Sequence, residues 1–80
     1  MAFYERFEVR RMGKDGKVSY RVRYLDTYDI ESWEKINEEL TTIFTRSGDS
    51  FTAKISAERV KIICMSQNDE YGRLFTFYSN

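Results

Sequence analysis

Residues 3–26 read FYERFEVRRMGKDGKVSYRVRYLD, and the alternation in this stretch decides the class of fold. Phe3, Glu5, Phe7, Val9 and Arg11 share one face of a strand, while Tyr4, Arg6, Glu8, Arg10 and Met12 share the other. Beyond Gly13-Lys14-Asp15-Gly16, the residues Val18, Tyr20, Val22 and Tyr24 alternate with Lys17, Ser19, Arg21 and Arg23. Period-two patterning on both sides of a turn signal specifies a β-hairpin. Asp-Gly suits a two-residue loop, because a type I′ turn needs positive φ at both central positions. With Asp15-Gly16 as that loop, Lys14 faces Lys17, Glu8 faces Arg23, Val9 faces Val22 and Phe7 faces Tyr24. A four-residue loop shifts the register by two and leaves every face unchanged. The expected inner face therefore holds Phe7, Val9 and the apolar set of the second strand. The expected outer face is basic and ring-bearing: Tyr4, Arg6, Arg10, Arg21 and Arg23, with Lys17 beside them.

Downstream, Ile30, Trp33, Ile36, Leu40, Ile43 and Phe44 recur at three- and four-residue steps, which predicts an amphipathic helix over 30–46. Asp29 is its expected N-cap, Tyr28 and Trp33 its hydrophobic staple, and Gly48 its stop. On that helix Glu31, Glu34 and Glu38 fall on one acidic stripe. Residues 51–78 read as further strand: Phe51, Ala53 and Ile55 alternate with polar residues, Val60 to Met65 is β-branched, and Arg73 to Tyr78 is aromatic. Gln67 to Gly72 reads as a turn between the last two. Ser56-Ala57-Glu58-Arg59 equally suits the cap of a second short helix over 56–66, carrying Val60, Ile63 and Cys64. The expected fold is α+β, one domain over residues 1–80. Its sheet is mostly antiparallel with one amphipathic helix on one face, in the order β-β-α-β-β-β.

Eighty residues form one small core, burying roughly 60–65% of the surface exposed when unfolded. Six Phe, six Tyr and one Trp supply large area per core position. The lone Cys64 cannot close an internal disulfide, and Met1 to Arg6 has no charged-then-apolar leader pattern. A cytoplasmic protein without membrane spans is expected. Net charge is zero but unevenly spread: residues 1–25 hold seven bases and three acids, residues 26–50 two bases and seven acids.

The chain has no histidine, which removes the commonest general base and metal ligand. A Ser-His-Asp or Cys-His arrangement is impossible in one chain. Gly13 to Lys17 lacks the spacing and the following helix of a phosphate loop. No metal-ligand pattern, cofactor motif or catalytic set emerges, so no enzyme and no cofactor is expected.

Three surfaces carry the functional expectations. The acidic stripe suits a basic partner. The outer hairpin face suits either a protein or a nucleic acid, because basic and aromatic groups on a sheet hold single strands in several binders. The C-terminal strands carry apolar groups on both faces, and a single helix shields only one. Ile63, Met65, Phe75 and Phe77 are therefore expected to face a second copy in a homodimer or a different protein. In size, bipolar charge, missing histidine and aromatic excess, the chain resembles small phage or mobile-element proteins that block host defence, such as anti-CRISPR proteins. That resemblance is one of type and is carried by no specific residues. It implies a small non-enzymatic protein that occupies a surface of a larger protein or nucleoprotein complex. The alternative is a nucleic-acid-binding module working through the basic, aromatic hairpin.

Overall fold

The computed structural model describes residues 3–70. Five strands come first: β1 (Tyr4–Met12), β2 (Val18–Asp26), β3 (Ile30–Lys35), β4 (Thr41–Thr45) and β5 (Ser50–Ala53). The helix α1 (Ala57–Glu70) follows them. All neighbouring strands are antiparallel, in the spatial order β2-β1-β5-β4-β3. The α+β class with an antiparallel sheet and one helix holds, but the helix stands last among the described elements rather than third.

Residues 30–46 are strand, turn and strand, not the expected helix. The apolar stripe that suggested a helix is divided: Ile30 and Ile43 are buried, whereas Ile36 and Phe44 are exposed. Two features of the stretch favour strands. Asn37 folds its side chain back to accept from the amides of Glu39 and Leu40, at 2.8 and 2.9 Å, while the Ile36 amide donates to the Leu40 carbonyl at 3.0 Å. This side-chain turn reverses the chain. After it, Thr41-Thr42-Ile43-Phe44-Thr45 is β-branched or aromatic at every position. Thr41, Ile43 and Thr45 point inward and are buried. Each threonine hydroxyl finds a partner: Thr41 donates to the Ile55 carbonyl at 2.8 Å, and Thr45 accepts from the Asp49 amide at 2.9 Å.

The helix forms where Ser56 offers a cap. Its hydroxyl accepts from the Arg59 amide at 3.1 Å, and its carbonyl accepts from the Val60 amide at 3.1 Å. Val60 and Ile63 are buried and Cys64 packs against the core, so the alternative helix expected at 56–66 replaces the strand favoured there. The expected turn at 67–72 begins inside α1. The expected strand from Arg73 to Tyr78, with Phe75 and Phe77, lies outside the described residues.

The sheet is rolled. Only Thr27–Asp29, a single 3-10 turn, separates β2 from β3, although these are the two edges. A flat five-stranded sheet holds its edges about 19 Å apart, whereas the chain from Asp26 to Ile30 reaches no more than about 14 Å. The edges therefore converge around Phe7, Leu25, Ile30, Ile43, Phe51, Ala53 and Val60, with Trp33 packed against them. Helix α1 contacts β3 and the 3-10 turn, on the core side. The seam between the edges is stitched by the β4–β5 turn. Arg46 donates from its backbone to the Asp29 carbonyl at 2.7 Å and from Nε to the Tyr28 carbonyl at 3.0 Å. Ser47 Oγ donates to Asp29 Oδ2 at 3.1 Å, and Asp49 pairs with Arg23 of β2 at 2.9 Å.

Candidate nucleic-acid interface

The hairpin exists, but its register is offset by one from the expected one. Tyr4 faces Asp26, Phe7 faces Arg23, Val9 faces Arg21 and Met12 faces Val18. The turn explains the offset. The Gly16 amide donates to the Gly13 carbonyl at 3.0 Å and the Gly13 amide to the Lys17 carbonyl at 2.8 Å. Gly16 takes φ +81°, and the Lys17 amide donates to Asp15 Oδ1 at 3.0 Å. The loop is thus three residues long, a tight turn followed by a left-handed glycine. An odd loop moves the register by one and exchanges the faces of the second strand.

The exchange reorganises the surface. Tyr4, Arg6, Glu8, Arg10 and Met12 now share the outer face with Val18, Tyr20, Val22 and Tyr24. Tyr20 and Tyr24, expected inside, are 44% and 65% exposed and stand in solvent on the face of Tyr4, which is outward as expected. Arg21 and Arg23 lie on the opposite face, with Phe7 and Val9. The five residues expected on one basic face are therefore split three and two. Arg23 is drawn into the fold, its guanidinium 4.6 Å from the Phe51 ring centroid and paired with Asp49. That guanidinium holds the Asp49 carboxyl below its ordinary value, with the Ser50 amide adding to the effect. Arg6 is partly engaged by Glu8 at 3.4 Å. Among the described residues, no ion pair engages Arg10, Arg11, Lys14, Lys17 or Arg21.

Beyond Val9, β1 leaves the sheet: its register with β5 is the single pair Val9–Ala53. From Arg10 to Val22 every residue is exposed. This part of the hairpin is a projecting two-stranded ribbon in a molecule 47 Å long and 19 Å thick. It carries Arg10, Arg11, Lys14, Lys17 and Arg21 against a single acid, Asp15. At its base, Lys54 of the sheet lies 5.4 Å from the Tyr20 ring centroid. The two residues help line a groove of about 310 Å³ whose other wall is the β3–β4 turn, Asn37 to Leu40.

The acidic residues are not gathered into a stripe. Glu31 sits where the β3–β4 register slips, Glu34 faces Thr42 on the outer side, and Glu38 is in the turn, bound to Lys35 at 2.8 Å. That bond holds the Glu38 carboxyl below its ordinary value. Ile63 and Met65 do not belong to a two-faced strand. Both are in α1, where Ile63 is buried within its own chain and Met65 is half-buried. Burial pushes the Cys64 thiol up to about 11, which leaves it a packing group rather than a nucleophile.

Among the described residues, no cluster of three or more His, Cys, Asp or Glu side chains is placed to hold a metal ion. No helix there is long and apolar enough to cross a membrane. No protein-family model, curated protein or solved structure matches the chain. The ribbon itself was legible in the alternation of residues 3–26. Its projection was not, because that depends on how few residues of β5 pair with β1.

Proposed function

We propose that this is a small cytoplasmic binding module, without catalytic activity, that attaches to nucleic acid through its N-terminal hairpin. One observation carries the reading: a solvated ribbon, residues 10–22, bearing five cations and one acid and the exposed Tyr20, with exposed Tyr4 and Tyr24 on the same face at the far end of the hairpin. Cations without carboxylate partners are ready to replace the counterions of phosphates. Exposed rings interleaved with arginines add contacts to bases and sugars. Glu38 and Glu39 of the β3–β4 turn, across the groove from Tyr20, repel the same ligand and so direct it toward the tip of the ribbon. The lone, half-buried Cys64 suits a reducing compartment.

The reading as an inhibitor that occupies a protein surface drew on two other patches. The acidic residues are dispersed over an edge strand and a turn, and Ile63 is spent on the core. Phe75 and Phe77 lie outside the described residues; among those described, the hairpin is the surface that gathers cations without carboxylate partners, and it serves a nucleoprotein partner as well as bare nucleic acid. Fluorescence anisotropy with labelled single- and double-stranded oligonucleotides tests the proposal. Binding is expected to weaken steeply with added salt, and an Arg10→Ala, Arg21→Ala variant to bind at least tenfold more weakly. Unchanged anisotropy with every oligonucleotide at low salt overturns it.

A further inference from the structure

We infer that the ribbon enters the major groove of double-stranded DNA, rather than serving as a flat platform for a single strand. This rests on the nucleic-acid reading above and specifies the form of the ligand.

The placement of charge points to a groove. A platform needs its cations and rings on one face, the side on which the strand lies. Here the cations are on both. Arg10 is on the face of Tyr20, whereas Arg11 and Arg21 are on the other, and Lys14 and Lys17 sit in and beside the turn between them. Both faces of residues 10–22 are exposed to solvent, with the Lys54–Tyr20 contact confined to the base of the ribbon. A groove presents a phosphate wall on each side, and a body carrying cations on both faces meets both walls at once.

Size agrees with charge. The major groove of B-form DNA, about 12 Å wide and 8.5 Å deep, admits a two-stranded β-ribbon. From Arg10 to Lys14 the ribbon extends about 13 Å, enough to carry its tip to the groove floor. The tip ends in a three-residue turn whose hydrogen bonds are internal, so no wide loop obstructs entry. Just behind the turn Met12 and Val18 are direct cross-strand neighbours, and both are exposed. Such an apolar pair suits the thymine methyl group, which only the major groove displays. Arginines flanking it supply the bidentate donors that read guanine.

The test compares three labelled probes of matched sequence and length: a DNA duplex, an RNA duplex and the DNA single strand. The RNA duplex carries the same density of phosphates, but its major groove is too deep and narrow for side chains to read. The DNA duplex is expected to bind at least tenfold tighter than either alternative. Removing cations from either face, by Arg10→Ala or by Arg11→Ala with Arg21→Ala, is expected to weaken duplex binding. The slope of log affinity against log salt should then become shallower by about 0.9 per cation lost. Far-UV circular dichroism of these exposed-site variants should match the parent. Equal affinity for the DNA and RNA duplexes overturns groove entry, as does preference for the single strand. Sensitivity confined to the Arg10 face overturns it too. Those results leave the broader nucleic-acid reading standing, whereas absence of binding to all three probes removes both.

Discussion

The ribbon of residues 10–22 and the β4–β5 hairpin are built from the same local chemistry and end in opposite circumstances. Both turn through one pattern: Gly13 to Lys17 and Thr45 to Asp49 each place a left-handed glycine fourth, at Gly16 and Gly48. Both strand pairs are rich in β-branched or aromatic residues. Yet every ribbon residue is solvated, whereas Thr41, Ile43, Thr45, Phe51 and Ala53 are buried. The difference lies in what each turn touches. The ribbon's turn bonds only within itself, whereas the second turn reaches the Tyr28 and Asp29 backbone through Arg46 and pairs Asp49 with Arg23. The same turn pattern thus leaves one hairpin solvated and ties the other across the rolled sheet, and tertiary contacts make the choice.

The contrast breaks most sharply in the core. Ile43→Ala, at a fully buried position, should cost about 2–5 kcal/mol in urea unfolding, while Val22→Ala on the ribbon should stay within about 0.5 kcal/mol. Comparable losses would mean that the ribbon is packed against something in solution. The two glycines sharpen the comparison. Alanine at either site is strained by the positive φ, by about 1–2 kcal/mol. At Gly48 the loss should appear in global unfolding, because that turn closes the seam. At Gly16 it should appear mainly as faster amide exchange within residues 10–22. The smallest effect is the acid response of the seam. Arg23 lowers the Asp49 pKa below its ordinary 3.8, so the ion pair's contribution is complete above that value and disappears as pH falls through the lowered one. Parent and Asp49→Asn should therefore differ slightly in urea midpoint near neutrality and converge in strong acid.

The hairpin was legible because period-two patterning on both sides of a glycine turn, over 3–12 and 17–24, admits no helix. Its faces were not, since they hang on whether the loop holds two, three or four residues, and Lys14-Asp15-Gly16 accommodates all three readings. Residues 30–46 misled for a different reason. Trp33, Ile36, Leu40 and Ile43 fit a helical period only if Ile36 is inward, and the Asn37 side chain turns the chain immediately after it. The signals on the other side were the threonines at 41, 42 and 45, which read as polar in a helix but pack as β-branched residues once their hydroxyls are satisfied. At 57–70 the Ser56 cap was visible, and the β-branched Val60, Ile62 and Ile63 outweighed it on propensity alone. Of the interface, the tyrosines and arginines were readable, while their division between two faces followed the turn.

The strand order has a consequence for how the chain assembles. β5, the last of the described strands to be made, lies at the centre of the sheet between β1 and β4. While the ribosome is still elongating, the first hairpin and the β3–β4 pair are two separate local structures with no lateral bond between them. The keystone arrives only with Ser50 to Ala53, and its bridge to Val9 joins the first hairpin to the β3–β4 pair. Joining of the described sheet must therefore wait until residues 50–53 have emerged, and any premature stop upstream releases two separate half-sheets instead of one smaller sheet.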